Sequence, residues 1–132
     1  MADIKRGQIY MVDFGAHDGS KQGGFRPAIV VSNNKANRFS PVIMVCCIST
    51  KIHKRMPTHV RLNRVTAQLR YDSIVLCEQV HSINKTELGN YIGSVDSHDE
   101  AQVDRALKIS LGLLDEPMNV DRFVDRFVDR SA

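Results

Sequence analysis

The apolar residues of this chain are gathered into short runs rich in β-branched residues, and a helical period appears only towards the C-terminal end. Runs of this length, separated by polar segments that contain Gly, Asn or Pro, are typical of β-strands. The run at Val42–Ser49 is the best core candidate because it is almost continuously apolar. The expected strands are Gln8–Phe14, Pro27–Ser32, Val42–Ser49, Thr58–Leu62 and Asp72–Val80.

The hydrophobic period changes after the last of these strands. Ser97 and Glu100 have the spacing of a capping box, which marks the start of a helix. The apolar residues that follow recur on one helical face and predict a helix from about Asp99 to Leu113. A shorter helix is expected within residues 83–91. Several strands followed by one helix predict a mainly β fold, either a small barrel or a curled sheet closed by the terminal helix.

Length and composition indicate one soluble globular domain. The chain of 132 residues can bury a core of its own but is too short for two domains. No apolar run approaches the ~20 residues of a membrane-spanning helix, and the first residues lack the apolar stretch of a signal peptide. Cys46, Cys47 and Cys77 do not have the spacing of a metal site. We expect them to be buried thiols in a reducing cytoplasm.

A net charge of +3 conceals a separation of sign along the chain. The segment 19–71 contains ten basic residues and no acidic one, whereas the remainder contains eight basic and fifteen acidic residues. Such a segment projects a positive field that attracts polyanions, above all nucleic acid. A basic surface that serves only solubility is the alternative, although a solvated face usually interleaves both signs.

The residues ahead of the second strand, Gln-Gly-Gly-Phe-Arg-Pro at 22–27, suit an anion-binding loop. Gly23 and Gly24 allow a tight turn and let backbone N–H groups approach a ligand. Pro27 biases Arg26 towards an extended conformation, which would hold one guanidinium at the mouth of the strand. The glycine pair alone is more typical of a plain turn. The surrounding positive charge favours the anion-binding interpretation.

The C-terminal tail repeats Val-Asp-Arg-Phe with a four-residue period, and its apolar residues match a helical face. An isolated helix of this length is unstable in water. The tail therefore either docks or stays frayed. Its docking site would be its own domain, a dimer partner or a partner-binding groove. We expect a domain over residues 1–115 and a tail over 116–132 that is an amphipathic helix or disordered.

Six short motifs, together with a closing segment at 106–111, resemble the MazF/PemK toxins over roughly residues 4–114. Lys21 departs from the pattern, because the family commonly has an acidic residue there. The motifs are Lys-Arg-Gly at 5–7, Ser-x-Gln-Gly-Gly-x-Arg-Pro at 20–27, Asn-Arg-Phe-Ser-Pro at 37–41, Ile-Ser-Thr at 48–50, Pro-Thr-His-Val at 57–60 and Glu-Gln at 78–79.

The resemblance implies an SH3-like, PemK-type small barrel of about five to seven strands with a C-terminal helix, which forms a homodimer in the cytoplasm. It also implies a toxin that cuts single-stranded mRNA at short sequences, with neither metal nor cofactor. The implied partner is a cognate antitoxin whose disordered segment covers the RNA groove. A non-enzymatic toxin of the same fold, which binds DNA gyrase or another protein, is the alternative.

The resemblance places the family's essential arginine and threonine on Arg26 and Thr50. From the residues themselves, Arg26 suits stabilisation of phosphoryl charge, because a guanidinium carries a permanent charge and five donors. The group that deprotonates the 2′-OH is left open among the five histidines, with His53 in the basic loop as one candidate. The expected RNA-binding residues are Ser20, Gln22, Gly23, Gly24, Lys51, Lys54, Arg55, Glu78 and Gln79.

Overall fold

The computed structural model describes residues 3–15, 24–51 and 56–115. Within them the chain forms six strands, two α-helices and one 3₁₀ turn at Lys85–Glu87. The helices are α1 (Asn34–Phe39) and α2 (Ser97–Ser110). The strands are β1 (Gln8–Asp13), β2 (Phe25–Val30), β3 (Val42–Ser49), β4 (His59–Leu62), β5 (Ser73–Asn84) and β6 (Leu88–Ser94).

All six strands belong to one antiparallel sheet with the order β4-β5-β3-β2-β1-β6. The mainly β class and the strand number agree with the sequence prediction. The ladder is not closed, because no pairing of β4 with β6 occurs among the described residues. Instead, the turn after β4 packs against β6, where Gly93 lies so close to Ala67 and Gln68 that a Cβ would collide with them. The expected barrel is therefore an open sheet whose two edges meet through packing.

The strand predictions are confirmed, and the bounds of β3 coincide with the predicted ones. The short helix expected within 83–91 is wrong for most of that segment: β5 continues to Asn84, and β6 begins at Leu88. Only the 3₁₀ turn between them is helical. Asn90 and the glycines of β6 are poor strand formers, but pairing with β1 keeps the segment extended, with Gly89 in close approach to Met11.

Helix α2 begins slightly earlier than predicted. Its N-cap is Asp96, whose side chain accepts the Asp99 N–H at 2.8 Å, and not Ser97 of the proposed capping box. Aspartate and serine are equally good N-caps, so the sequence pattern could not choose between neighbouring positions. Helix α2 buries Val103 and Ala106 against one face of the sheet.

We call the face covered by α2 the inner face and the opposite one the outer face. The strand pleat divides the buried side chains between them. Cys46 and Cys77 lie on the inner face and Cys47 on the outer face, all as buried free thiols, as the sequence predicted. The inner core consists of Ile9, Ile29, Val31, Cys46, Ile48, Val60, Leu62, Ala67, Val75, Cys77, Val103 and Ala106. The outer core consists of Val12, Phe14, Ala28, Val30, Ile43, Val45, Cys47 and Ile83.

Candidate active site

Arg26 lies near the start of β2, opposite Val12 of β1. Strand alternation places its side chain on the outer face with Ala28 and Val30, and it is half-buried. The position at the mouth of a strand is the one that the Arg-Pro dipeptide predicts. The catalytic role of Arg26 stays a prediction.

The Arg26 guanidinium donates a hydrogen bond to the thiol of Cys47 on the neighbouring strand β3. Burial raises the pKa of Cys47 to about 11, although the charge and the hydrogen bond of Arg26 act in the opposite direction. The nearby Glu78 carboxylate adds to the increase. Cys47 is therefore an uncharged thiol at neutral pH, which cannot act as a nucleophile and does not neutralise the arginine.

Glu78 of β5 supplies a carboxylate on the same side of the sheet, held by two donors. Thr58 Oγ1 donates to Oε1 at 3.1 Å, and His59 Nε2 lies 3.0 Å from Oε2. Burial alone would raise the pKa of Glu78. The hydrogen bond and charge of His59, with smaller contributions from the Glu78 backbone and Thr58, instead bring this pKa below its usual value. Glu78 is therefore ionised at neutral pH.

An irregularity in the ladder between β3 and β5 presents Glu78 to the site. Cys46 is opposite Val80 and Ile48 is opposite Val75, so two steps along β3 correspond to five along β5. The additional residues on β5 include Glu78 and the buried Gln79. Bulges of this kind commonly redirect side chains next to functional sites.

Two hydroxyls lie at the end of β3. Thr50, the predicted catalytic residue, is the first residue after the strand and is exposed. Ser49 is the last residue of the strand and is buried, and its Oγ accepts the Lys51 N–H at 3.1 Å. Alternation along β3 places Ser49 on the same face as Cys47, which is the face of Arg26. Sequence reasoning overlooked Ser49 because adjacent hydroxyls cannot be assigned to a face without the register.

The loop mouth between β1 and β2 is held by two glycines. Gly24 has φ +83° and Gly15 has φ +70°, both in the left-handed region that favours glycine. The Gly24 N–H donates to the Gly15 carbonyl, and the Gly24 carbonyl accepts from Phe14. The backbone therefore turns at the expected position next to Arg26. Glycine is favoured at position 24 by its positive φ and not by lack of space, since a Cβ at Gly24 would meet no neighbouring atom.

Of the remaining predicted RNA-binding residues, one lies within the described part of the chain and the others do not. Lys51 follows Thr50 and is exposed. Ser20, Gln22, Gly23, Lys54 and Arg55 lie outside the described residues, so their RNA-binding roles stay predictions.

The histidines take different positions. His59 contacts Glu78, His81 packs on the Phe14 ring with centroids 4.8 Å apart, and His98 is exposed in α2. His17 and His53 lie outside the described residues. Sequence analysis noted the Pro-Thr-His-Val motif that supplies Thr58 and His59, but not its contact with Glu78.

The described parts of the chain contain no cluster of three or more His, Cys, Asp or Glu side chains that could hold a metal ion. None of the helices described here is long and apolar enough to cross a membrane.

Comparison with known proteins gives consistent matches along the domain. Residues 5–111 match the family described as PemK-like, MazF-like toxin of type II toxin–antitoxin system. Endoribonuclease EndoA of Bacillus subtilis (strain 168) is 41% identical over 113 residues, which cover 85% of this chain and 97% of that protein. A mycobacterial endoribonuclease in complex with its cognate antitoxin superimposes with a TM-score of 0.72 at 28% identity, over 86% of this chain and 99% of that one.

A crystal structure of MazF from Deinococcus radiodurans shares the fold, with a TM-score of 0.70 at 24% identity over 85% of this chain and 99% of that one. The family match covers the open sheet, α2 and the cluster around Arg26 and Glu78. The chain therefore belongs to the PemK-like, MazF-like family of toxins of type II toxin–antitoxin systems.

Proposed function

We propose that this toxin is a metal-independent, sequence-specific endoribonuclease that cuts single-stranded mRNA in the cytoplasm. The observation that carries the proposal is the outer-face cluster in which the Arg26 guanidinium and the ionised Glu78 carboxylate flank the uncharged Cys47 thiol. The endoribonuclease names of EndoA and of the mycobacterial relative support it.

The proposed reaction is attack of a ribose 2′-oxygen on the adjacent phosphorus. The new P–O2′ bond forms while the P–O5′ bond breaks, which leaves a 2′,3′-cyclic phosphate and a 5′-OH end. Glu78 takes the 2′-OH proton, since an ionised carboxylate is an acceptor. Arg26 stabilises the negative charge that develops on the phosphoryl oxygens. The leaving 5′-oxygen receives a proton from Arg26 or from water, and Thr50 or Ser49 orients the phosphate.

The acid-free segment 19–71 supplies the general affinity for RNA. Lysine and arginine contacts to phosphates give salt-dependent binding and little sequence choice. We assign this role to Lys51, Lys54 and Arg55, and a role in reading bases to Ser20, Gln22 and Gln79. Gly23 and Gly24 would bring backbone N–H groups to the phosphate.

The proposed protein partners are a cognate antitoxin and a second copy of the chain. A homodimer is supported by an exposed apolar patch on β3 and β5, formed by Val42, Met44 and Val80, each about two-fifths exposed. Patches of neighbouring apolar side chains commonly mark protein interfaces. Residues 1–115 form the toxin domain in this proposal, and 116–132 form an appended tail.

The test is cleavage of a long single-stranded RNA in excess chelator, with the product ends mapped. Wild type is compared with Arg26→Ala and with Arg61→Ala, which removes an exposed arginine of β4. We expect discrete cuts with cyclic-phosphate and 5′-OH ends, a loss of at least about a thousandfold for Arg26→Ala, and for Arg61→Ala only the small loss of affinity that follows from one fewer basic residue.

Intact RNA beside folded wild-type protein would refute the proposal and favour a non-enzymatic toxin that binds gyrase or another protein. Cleavage that stops in chelator would refute the metal-independent reaction. Equal losses in the two arginine variants would indicate general electrostatics in place of a catalytic role.

A further inference from the structure

The Glu78 carboxylate is held from one side by two consecutive residues at the start of β4. Thr58 occupies one of its oxygens and His59 the other, at 3.1 and 3.0 Å. The Thr58 carbonyl also accepts the Cys77 N–H at 2.9 Å, directly beside Glu78 in the chain. This backbone bond fixes the start of β4 beside Glu78, from where both side chains reach the carboxylate.

His59 makes this contact from a buried position. Its side chain is 1% exposed and that of Glu78 is 10% exposed. An ionised carboxylate can only accept hydrogen bonds, so Nε2 of His59 carries the hydrogen and donates it. Within the described residues, Nδ1 of the same ring has no hydrogen-bond partner. The hydrogen bonding of the imidazole is therefore directed at Glu78.

We infer that His59 is a positioning residue of this toxin, whose Nε2–H keeps the Glu78 carboxylate ionised and oriented beside Arg26 and Cys47. It acts through Glu78 and need not touch the RNA. The kinetic part of the inference rests on the proposed ribonuclease function, whereas the effect on Glu78 itself does not.

The groups around Glu78 determine the direction in which its pKa moves when His59 is replaced. On the outer face they are Cys47 of β3, which is hydrogen-bonded to Arg26, and His59 of β4; the charge of Glu78 also reaches Cys46 on the inner face. Burial of Glu78 disfavours its charge, and His59 is the largest influence that lowers its pKa. Removal of the Nε2 donor leaves the burial in place, so the pKa of Glu78 must rise.

The test compares two replacements of His59. His59→Gln keeps an N–H donor at similar reach, and His59→Leu keeps a similar volume without a donor. The pKa of Glu78 is followed by carboxyl ¹³C NMR in the full-length protein without RNA, and the pH dependence of kcat/KM is measured with RNA. We expect the NMR midpoint and the acid limb of kcat/KM to move to higher pH together in His59→Leu, by about one pH unit, and to move clearly less in His59→Gln, which keeps the donor but not the charge of His59.

Thr58→Val is the matched control, since it removes the neutral donor from the other oxygen and should give a smaller movement in the same direction. If His59→Leu does not fold, His59→Met repeats the comparison with a more adaptable side chain. An unchanged Glu78 midpoint in His59→Leu or His59→Met overturns the inference. A midpoint in His59→Gln that moves as far as in His59→Leu overturns it as well. Absence of cleavage by wild type would refute the proposed function alone, because the NMR titration still decides the role of His59.

Discussion

Two arginines lie at opposite ends of β2 and have contrasting environments. Arg6 lies beside the end of the strand, where its Nε donates to the Val31 carbonyl at 2.9 Å and its guanidinium contacts Glu100 and Asp104 of α2. Arg26 lies near the beginning of the strand beside Cys47, a thiol that stays uncharged. The first arginine links the sheet to the helix, and the second brings positive charge to the loop mouth.

The contrast teaches that the place of an arginine in the fold separates the two roles better than residue type does. Two carboxylates and a carbonyl compensate Arg6, which is what a structural cation needs. Arg26 is instead hydrogen-bonded to a thiol with a pKa of about 11, which is uncharged at neutral pH, and it shares the outer face with the Glu78 carboxylate. Its place at the loop mouth, next to the turn at Gly24, suits its positive charge to a phosphate. The predictions below test this division of roles, starting with the largest expected effect.

Arg26→Lys keeps the charge and removes the planar set of donors. We expect cleavage to fall about 10²- to 10³-fold with the melting temperature nearly unchanged, because a point charge cannot reproduce the guanidinium geometry. Arg6→Lys is the matched control and should keep its activity. The measurements are kcat/KM and thermal unfolding. Full activity in Arg26→Lys would show that charge alone suffices.

The second-largest effect on cleavage is expected from the hydroxyls of Ser49 and Thr50. Ser49 lies on the face of Arg26 and Thr50 lies beyond the strand, so we expect Ser49→Ala to reduce kcat about tenfold to a hundredfold. Thr50→Val should reduce it less. Single-turnover cleavage of one RNA by both variants measures the difference. The opposite order would support the original assignment of Thr50.

Arg6→Gln should act on stability. It removes the charged contacts to α2 and leaves Glu100 and Asp104 without their partner. We expect the free energy of unfolding to decrease by about 1–3 kcal/mol, in the range of hydrogen bonds to charged groups. Urea denaturation measures this loss, with cleavage below the transition as the second readout. A specific loss of kcat in the folded variant would contradict the division of roles.

Glu78 makes the stability of the fold depend on acid. Its pKa is lower in the folded protein than its ordinary value, so its contribution is present above the unfolded-state pKa and is lost as pH falls through the lowered value. We expect Glu78→Gln to flatten the decline of stability below about pH 4.5. Glu87→Gln, which alters an exposed carboxylate, is the control. Denaturant unfolding at several pH values measures both, and parallel curves for wild type and Glu78→Gln would contradict the prediction.

Sequence patterns predict the elements whose conformation is determined by residues next to one another in the chain. The apolar run of β3 and the helical spacing of α2 are properties of contiguous residues. β6 was not predicted because Gly89 and Asn90 oppose strand formation, and its conformation depends on pairing with β1. Such a partner lies far away in the sequence.

The candidate site likewise has one part that local sequence predicts and one part that depends on distant strands. Arg26 was identified from a local motif and from the resemblance. Its neighbour Cys47 and the contact between His59 and Glu78 depend on strand register. The irregularity in β5 that presents Glu78 has no recognisable signal in the sequence, since a bulge arises from the mismatch between two strands.

The smallest expected effect compares two glycines. Gly24 and Gly112 have φ values of +83° and +75°, and a Cβ at either position would meet open space. Each Gly→Ala change should therefore cost about 1–2 kcal/mol of stability through backbone strain alone. Only Gly24→Ala should also raise KM for RNA, because Gly24 shapes the loop mouth beside Arg26, while Gly112 follows α2. Denaturation and steady-state cleavage separate the two effects, and an equal change in KM for both variants would show that the loop mouth has no special role in binding RNA.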